Sequence, residues 1–381
     1  MSPKLPGASV GIIGGGQLGR MLAGEARRMG YRLAVFDPDR ESPAAALADR
    51  HWCSDFSDQK ALAEFADAAD VITYEFENIP AESLAFLNSK VSVFPSPEIL
   101  RICQDRIREK VFLVQQNCPV AAFCPIEHAG DLKKALQIVG TPALLKTARL
   151  GYDGKGQAEV SAPSDLEIAW RQLGEVPAIL EEKVSLEAEL SAIVGRSATG
   201  AITVFPIPRN FHRKGIFDYS LVPSGLDGRL ERAAGEIAGK IASALGLVGV
   251  LAVEFFLAVG ERLLVNELAP RPHNSGHFTL DACITSQFEQ QLRAIAGLPL
   301  GDVSARGPLL LRNILGESWA QGEPDWASLL SLPGLRLYLY GKKRPLAKRK
   351  MGHYSVIASS MADAREIDAR AQAILHLDRE L

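Results

Sequence analysis

The chain has little that would tie it to a membrane, a polyanion or an oxidising compartment. Only 5 of its 381 residues are cysteine, namely Cys53, Cys103, Cys118, Cys124 and Cys283. No two form a Cys-x-x-Cys pair, so they read as free thiols in a reducing cytosol, not as a disulfide framework or a zinc site. The most apolar stretch, 247–259, contains Glu254 and falls short of the roughly 20 residues that a membrane-spanning helix needs. Residues 1–9 lack the apolar core of a secretory signal. Neither sign of charge dominates: 42 basic against 45 acidic residues leaves a formal charge of -3, with no global positive field for nucleic acid. These absences predict a cytoplasmic protein with neither a membrane nor a nucleic-acid partner.

What remains is globular composition, 47% hydrophobic and 23% charged, over a length that suggests two to three domains at about 150 residues each. The first hundred residues read as a parallel α/β unit. Candidate strands at 9–13, 32–36, 71–74 and 91–94 alternate with helical patterns, and Gln17 to Met29 is the first helix. Asp105 to Asn117 suggests an amphipathic helix whose apolar face is Ile107, Val111, Phe112 and Val114, with Pro119 marking a boundary. The next segment is α+β, with strands at 143–146, 157–160, 178–182, 187–194 and 201–205 and one short helix at 164–173. A helix at 230–245 precedes strands at 250–258 and 262–268, another covers 284–296, and the last seventy residues return to strands around a basic cluster, 342–350.

Four clusters carry chemistry. The first, Gly14-Gly15-Gly16-Gln17-Leu18-Gly19, fits the G-x-G-x-x-G pattern between strand and helix, with Asp37 ending the second strand. It reads equally as a dinucleotide site or as a tight turn that binds nothing, and a single phosphomonoester or ribose is an intermediate possibility. The second is Lys146 at a strand end, followed by Gly151-Tyr152-Asp153-Gly154-Lys155-Gly156-Gln157. A glycine-rich hairpin tip of this kind folds over a triphosphate without side-chain obstruction, but it lacks the Walker A ending and a strand follows it. On the loop alone a plain hairpin turn is favoured; the lysine shifts the balance toward nucleotide.

The third cluster is a pair of carboxylates. If Gly260-Glu261 forms a two-residue II′ turn, Val259 faces Arg262 and, counting outward, Glu254 faces Glu267. Like charges about 4.5 to 5.5 Å apart on apolar strands are costly unless a cation lies between them, and Mg²⁺, which takes carboxylate and phosphate oxygens, is the natural one. The fourth, Pro270-Arg271-Pro272-His273-Asn274-Ser275-Gly276-His277, concentrates polar side chains in a proline-stiffened loop suited to an anion. His212 and the basic pair Arg349-Lys350 are further candidates whose bland alternative is a solvated surface.

Together with Thr73-Tyr-Glu75-Phe-Glu77-Asn78 and Arg349-Lys350-Met-Gly-His353, these tracts resemble the ATP-grasp ligases over nearly the whole chain, and within them the N5-carboxyaminoimidazole ribonucleotide synthetases of de novo purine synthesis. The resemblance implies an ATP-grasp fold, α/β and α+β, with a Rossmann-like (pre-ATP-grasp) domain at 1–104. It implies an ATP-grasp domain at 105–305, split into lobes near 105–190 and 191–305, and a small β-rich C-terminal domain at 306–381 packing on it. It further implies a cytoplasmic homodimer that joins bicarbonate to 5-aminoimidazole ribonucleotide through carboxyphosphate, giving ADP and phosphate.

By the same likeness, ATP would meet Arg106, Lys146, Gly151 to Gln157, Glu181, Glu182, Lys183, Val184, Glu189, His212, Asn266 and Glu267. Backbone groups of 182–184 would face adenine, and Glu254 and Glu267 would hold Mg²⁺. The ribonucleotide would lie against Gly16, Gln17, Leu18, Glu75, Tyr152, Asp153, Lys342, Arg349 and Lys350, and bicarbonate against Arg271, His273, Asn274 and Ser275. One departure is Lys348, where the family often has Gly, which puts the shape of that loop at issue. Three rivals stay open: a sister ATP-grasp ligase with another ribonucleotide amine, a nicotinamide-dependent oxidoreductase, and a non-catalytic nucleotide sensor.

Overall fold

A computed structural model describes residues 2–151 and 155–377. Its first part is a four-stranded parallel sheet in the order Arg50–Trp52, Arg32–Phe36, Ser9–Ile13, Val71–Tyr74. Strand Ser9–Ile13 is central and buried at every position, as its unbroken apolar run requires. The expected fourth strand at 91–94 is absent as a strand: Val93 makes one bridge to Ile72, and Pro95, which has no N–H, ends the pairing. The edge strand is instead Arg50–Trp52, three residues that carry too little periodicity to be found in the sequence.

A second, antiparallel sheet has the order Phe123–Ile126, Ala178–Glu182, Ala143–Thr147, Gln157–Val160. Two helices accompany it, Asp165–Gln172 and Leu132–Val139, where the sequence had suggested only the first. Leu132, Ala135, Leu136 and Val139 all pack into the core of this sheet, the i, i+3, i+4, i+7 stripe of a short amphipathic helix.

The third sheet has nine strands. Its path runs Arg262–Ala269, Gly249–Ala258, Leu186–Arg196, Arg209–Arg213, Ile216–Val222, Leu309–Leu315, Lys350–Ile357, Leu335–Leu339, with Ile202–Val204 beside Leu186–Arg196. The C-terminal strands therefore extend the central sheet, where a β-rich module packed against it had been expected. Their outer face is closed by helix Met361–Ile374, which the sequence reading had not anticipated. That helix is anchored by a buried ion pair in which Arg312 donates to both oxygens of Asp368 at 2.8 Å, while the Tyr354 hydroxyl donates to Asp368 at 2.6 Å.

Helix Gln287–Ile295 joins the first sheet to the third. Phe288, Leu292 and Ile295 sit in the same core as Val10, Ile12 and Leu22. Gln291 donates to the Thr73 hydroxyl at 2.9 Å and accepts from Val250 N–H at 2.6 Å, so a single buried amide spans both sheets. The inter-sheet crevice behind which the candidate site opens is thus held by packing and by directional bonds. Among the described residues no helix is long and apolar enough to cross a membrane.

Candidate active site

One cavity of 490 Å³, within the range of small-molecule sites, is lined by residues of the second and third sheets together with Glu77 and Asn78, which follow strand Val71–Tyr74 of the first. Arg106, Lys146, Gly151, Gln157, Glu189, His212, Glu254, Asn266, Glu267, Arg271, His273, Asn274 and Lys350, dispersed widely in sequence, all face it. A separate cavity of 420 Å³ lies beside Pro206, Val222 and Pro308 and contains none of them.

Glu254 and Glu267 are direct cross-strand partners, which places both carboxylates on one face of the sheet. The route to this register differs from the expected one. Ala258, not Val259, pairs with Arg262, so the connection has three residues, and Gly260 and Glu261 both adopt positive φ (79° and 58°) in place of a II′ turn. The resulting one-residue offset is cancelled by a β-bulge that leaves Asn266 without a cross-strand partner between Val265 and Glu267. The bulge buries the Asn266 side-chain oxygen, which has no hydrogen-bond partner, beside the two carboxylates.

Charge in the cavity is finely arranged. Arg106 Nη1 lies 3.0 Å from Glu267 Oε2, and although burial opposes ionisation of Glu267, Arg106 keeps its carboxyl below the ordinary value. Burial, reinforced by the charge of Glu267, pushes Glu254 up to about 8. His273 Nε2 stands 3.3 Å from Glu254 Oε1, and burial together with Arg271 holds the imidazole well below its usual pKa. His212 Nδ1 lies 2.9 Å from Glu189; burial disfavours the imidazolium, but Glu189 outweighs it and raises the pKa. Arg271 is paired with Glu77 at 2.6 Å.

Behind the cavity wall, Lys146 donates to Glu181 at 2.7 Å and Lys110 lies 3.7 Å from it. Lys110 and Glu109 were not among the sequence candidates. The helix they occupy, Arg106–Gln115, follows the expected apolar face only in part: Phe112 packs on the core, but Val111 and Val114 are 40% and 49% exposed, while Glu109 and Lys110 are buried alongside Leu113. Glu109 accepts from Leu268 N–H at 2.9 Å and Lys110 donates to the Asn266 carbonyl at 2.8 Å, so the helix braces the bulge. The signal was present as charges at 106, 109 and 110, i, i+3 and i+4, which share a helix face.

The second glycine loop begins as expected from a hairpin, Lys146 pairing with Gln157. Gly156 has φ +70°, and a Cβ there would fall 2.6 Å from the Thr147 hydroxyl oxygen, so glycine is required at that turn. Tyr152, Asp153 and Gly154 lie outside the described residues. Lys155 and Gly156 are described but do not line the cavity, nor do Glu182, Lys183 and Val184. Of the backbone groups of 182–184 expected to face adenine, the N–H groups of Glu182 and Lys183 already donate to the carbonyls of Ala122 and Pro142, at 2.8 and 3.2 Å.

The first glycine loop is also filled from within. Gly15 N–H donates to Asp37 at 2.6 Å, and Gly16 and Gly19 N–H donate to the two oxygens of Glu75 at 2.5 and 2.7 Å. Three of the loop's amides, and the Asp37 carboxylate expected at a ribose, are thereby engaged within the loop. This counts against a dinucleotide pyrophosphate at those three positions. Glu75 is occupied in bracing the loop and, like Gly16, Gln17, Leu18, Ser275, Lys342 and Arg349, does not line the cavity.

Gln17 nevertheless reaches the site through its neighbours. It donates to Asn274 Oδ1 at 2.6 Å and accepts from Lys342 at 2.7 Å, and Lys342 also donates to the Lys350 carbonyl. Arg349 donates to the Arg344 carbonyl at 3.1 Å. Lys348 has φ +63°, the left-handed region that glycine enters without steric cost. A lysine holds this conformation only at the cost of some backbone strain.

Comparison with known proteins agrees with this architecture. Residues 8–104 match the ribonucleotide synthetase preATP-grasp domain, 111–288 the ATP-grasp domain, and 310–367 the phosphoribosylaminoimidazole carboxylase C-terminal domain. The chain is 44% identical over 348 residues to the N5-carboxyaminoimidazole ribonucleotide synthase of Bacillus subtilis, covering 91% of each protein. The chain belongs to the N5-carboxyaminoimidazole ribonucleotide synthase family. It also matches 91% of its length, at 41% identity, to a bifunctional purine synthesis protein of Dictyostelium discoideum, of which it spans only 37%.

Among solved structures of the family, an ADP complex of an N5-carboxyaminoimidazole ribonucleotide synthetase superposes with a TM-score of 0.92 at 40% identity, covering 99% of this chain and 98% of that one. The Aspergillus clavatus synthase, in complex with ADP and 5-aminoimidazole ribonucleotide, superposes with a TM-score of 0.89 at 29% identity, covering 97% and 99%. Membership of the synthase family thus makes this chain an ATP-grasp, ADP-forming ligase with the expected fold class.

Proposed function

We propose that this synthase-family chain uses ATP to join bicarbonate to the amine of 5-aminoimidazole ribonucleotide, giving N5-carboxyaminoimidazole ribonucleotide, ADP and phosphate. The observation that carries the reading is the direct pairing of Glu254 with Glu267 inside the cavity that also holds Lys146, Arg271, His273 and Lys350.

The residues fit Mg²⁺. Two carboxylate side chains share one face, a buried amide oxygen of Asn266 stands unpartnered beside them, and among the described residues no group of three or more His, Cys, Asp or Glu offers a closed cage. Two protein carboxylates with the remaining positions left to phosphate and water are the usual magnesium arrangement. When bound, the ion would neutralise charge on the transferring phosphate. Lys146 and Arg106 would hold ATP phosphates, Glu189 the ribose, and His212 the same end of the nucleotide. Arg271, fixed by Glu77, would offer its guanidinium to bicarbonate and to the carboxyphosphate formed from it. Asn274, held by Gln17, would orient the acceptor, with Tyr152 and Asp153 from the glycine loop joining it. No covalent enzyme intermediate is needed, so catalysis is positioning and charge stabilisation. A homodimer in the cytoplasm is the setting the family likeness suggests.

The deciding experiment is coupled ADP release with ATP and Mg²⁺, with and without bicarbonate and 5-aminoimidazole ribonucleotide. Release that needs both supports the reading, whereas ATP binding without it would make the chain a sensor. Release with a different ribonucleotide amine would make it a sister ligase. A variant refines the substrate end. Lys350→Ala removes a cation from the cavity wall, and because the ribonucleotide phosphate does not react, the loss is expected mainly in KM, roughly tenfold, with kcat nearly kept. Steady-state kinetics with varied ribonucleotide checks it; an unchanged KM moves the phosphate away from Lys350.

A further inference from the structure

Beneath His273 runs a line of buried polar side chains, two of which, Asn210 and Ser191, no role yet covers. Asn210, on strand Arg209–Arg213, and Ser191, on strand Leu186–Arg196, are 5% and 0% exposed, and Ser275 is 1% exposed. Hydroxyls and amides so deep in a β-sheet are costly unless their bonds are made. Here they are made in series, with the Asn210 side-chain oxygen alone left unpartnered. Asn210 Nδ2 donates to Ser191 Oγ at 3.0 Å, and Ser191 Oγ donates to Ser275 Oγ at 2.8 Å. Ser275 Oγ then lies 2.9 Å from His273 Nδ1.

The direction of this series is fixed at its far end by a group that can only donate. The backbone N–H of Ser275 points at the same His273 Nδ1, at 3.3 Å, capping the short turn 274–276. A neutral imidazole carries one proton, so Nδ1 must present its lone pair and Nε2 must carry the hydrogen. Nε2 is the atom that stands 3.3 Å from Glu254 Oε1. Ser191 is itself the cross-strand neighbour of Glu254, so the series passes beside the carboxylate at which it ends.

We propose that Asn210 and Ser191 are positioning residues: a one-way hydrogen-bond chain, Asn210 to Ser191 to Ser275 to His273, locks the His273 imidazole with its proton on Nε2 and aims it at Glu254. Locked this way, His273 has no lone pair for a metal on its cavity side. It holds one oxygen of Glu254 and leaves the other to turn toward the cavity, where a neighbouring donor of this kind orients a ligating carboxylate. The inference rests on the carboxylating-ligase reading for its effect on rate, but not for the state of the ring.

The test uses the full chain labelled with ¹⁵N-histidine, the His273 ring being assigned by its disappearance in His273→Gln. The expected ring has an unprotonated Nδ1 and a protonated Nε2, with and without Mg²⁺. In Ser191→Ala the last hydroxyl loses its orienting donor. Its Nδ1 resonance is expected to move toward tautomer averaging, and kcat for bicarbonate-dependent ADP release to fall roughly tenfold with the KM for ATP kept, the pattern of a lost supporting hydrogen bond. Ser191→Cys, a weaker donor of similar size, is expected to fall between the two. A wild-type ring protonated on Nδ1 overturns the proposal, and so does Ser191→Ala with an unchanged ring and rate. Should that variant not fold, Asn210→Asp keeps the shape and turns the donor into an acceptor; an unchanged ring there overturns the proposal equally. If the wild type shows no bicarbonate-dependent release, the ligase reading fails while the ring measurement still decides the chain.

Discussion

Glu267→Gln is expected to leave the fold intact and to lower kcat/KM by about 3 kcal/mol, roughly 150-fold, with the apparent requirement for Mg²⁺ shifted to higher concentration. The glutamine is isosteric and its carbonyl still accepts from Arg106, which lies 3.0 Å from the carboxylate it replaces, so the helix that carries Arg106 has no reason to move. What disappears is one of two negative charges on the shared face of the hairpin. Glu254, pushed up to about 8 by burial and then by the charge of Glu267, would be relieved of the second cause and ionise more readily, but one carboxylate would remain where two stood. The measurement is ADP release as a function of Mg²⁺ at saturating ATP, alongside a thermal melt. Near-normal turnover at low Mg²⁺ would remove the metal assignment from this pair, since no other described cluster offers a replacement.

That pair shows how far a sequence can carry such an argument, and on what terms. Strand periodicity and the glycine between two apolar runs were enough to place Glu254 opposite Glu267, yet the pairing survives through two compensating irregularities. The loop is one residue longer than the count assumed, and the bulge at Asn266 restores the register. A bulge has no composition of its own, and its cause is tertiary: Glu109 and Lys110, on a distant helix, take up the backbone of 265–268. The same helix misled part of the reading of its faces, because apolar residues usually mark the buried side, and here part of the buried side faces a charged site. Glycine loops were legible as turns, but not whether their amides were free. Asp37 and Glu75 reach them from 22 and 59 residues away, a contact that local pattern does not encode. Helix Met361–Ile374 escaped notice although its N-cap serine is well formed: its fully buried positions are Ala364, Asp368 and Ala371, a charge and two small residues, while the larger Met361, Ile367 and Ile374 are only partly buried.

Glu181→Gln carries the largest expected effect on stability. Glu181 is 2% exposed and lies between Lys146 at 2.7 Å and Lys110 at 3.7 Å. Burial alone would raise its pKa, but the two ammonium groups prevail and lower it from 4.5 to about 2. A folded-state pKa below the unfolded value means that the ionised form stabilises the fold: the contribution is complete above about pH 4.5 and is lost as pH falls through about 2. A difference of about 2.5 pKa units corresponds to about 3 kcal/mol, the lower end of what breaking a buried ion pair costs. Glutamine can accept one hydrogen bond from Lys146 but removes the counter-charge nearest to two buried cations. Urea unfolding should therefore show the variant about 3 kcal/mol less stable at pH 7. The gap should narrow by about 1 kcal/mol at pH 3.5, where the wild-type carboxylate has begun to forfeit its advantage. A gap of the same size at both pH values would mean that packing, not charge, is what Glu181 supplies, and Lys146 would then approach a nucleotide phosphate without an ionic anchor behind it.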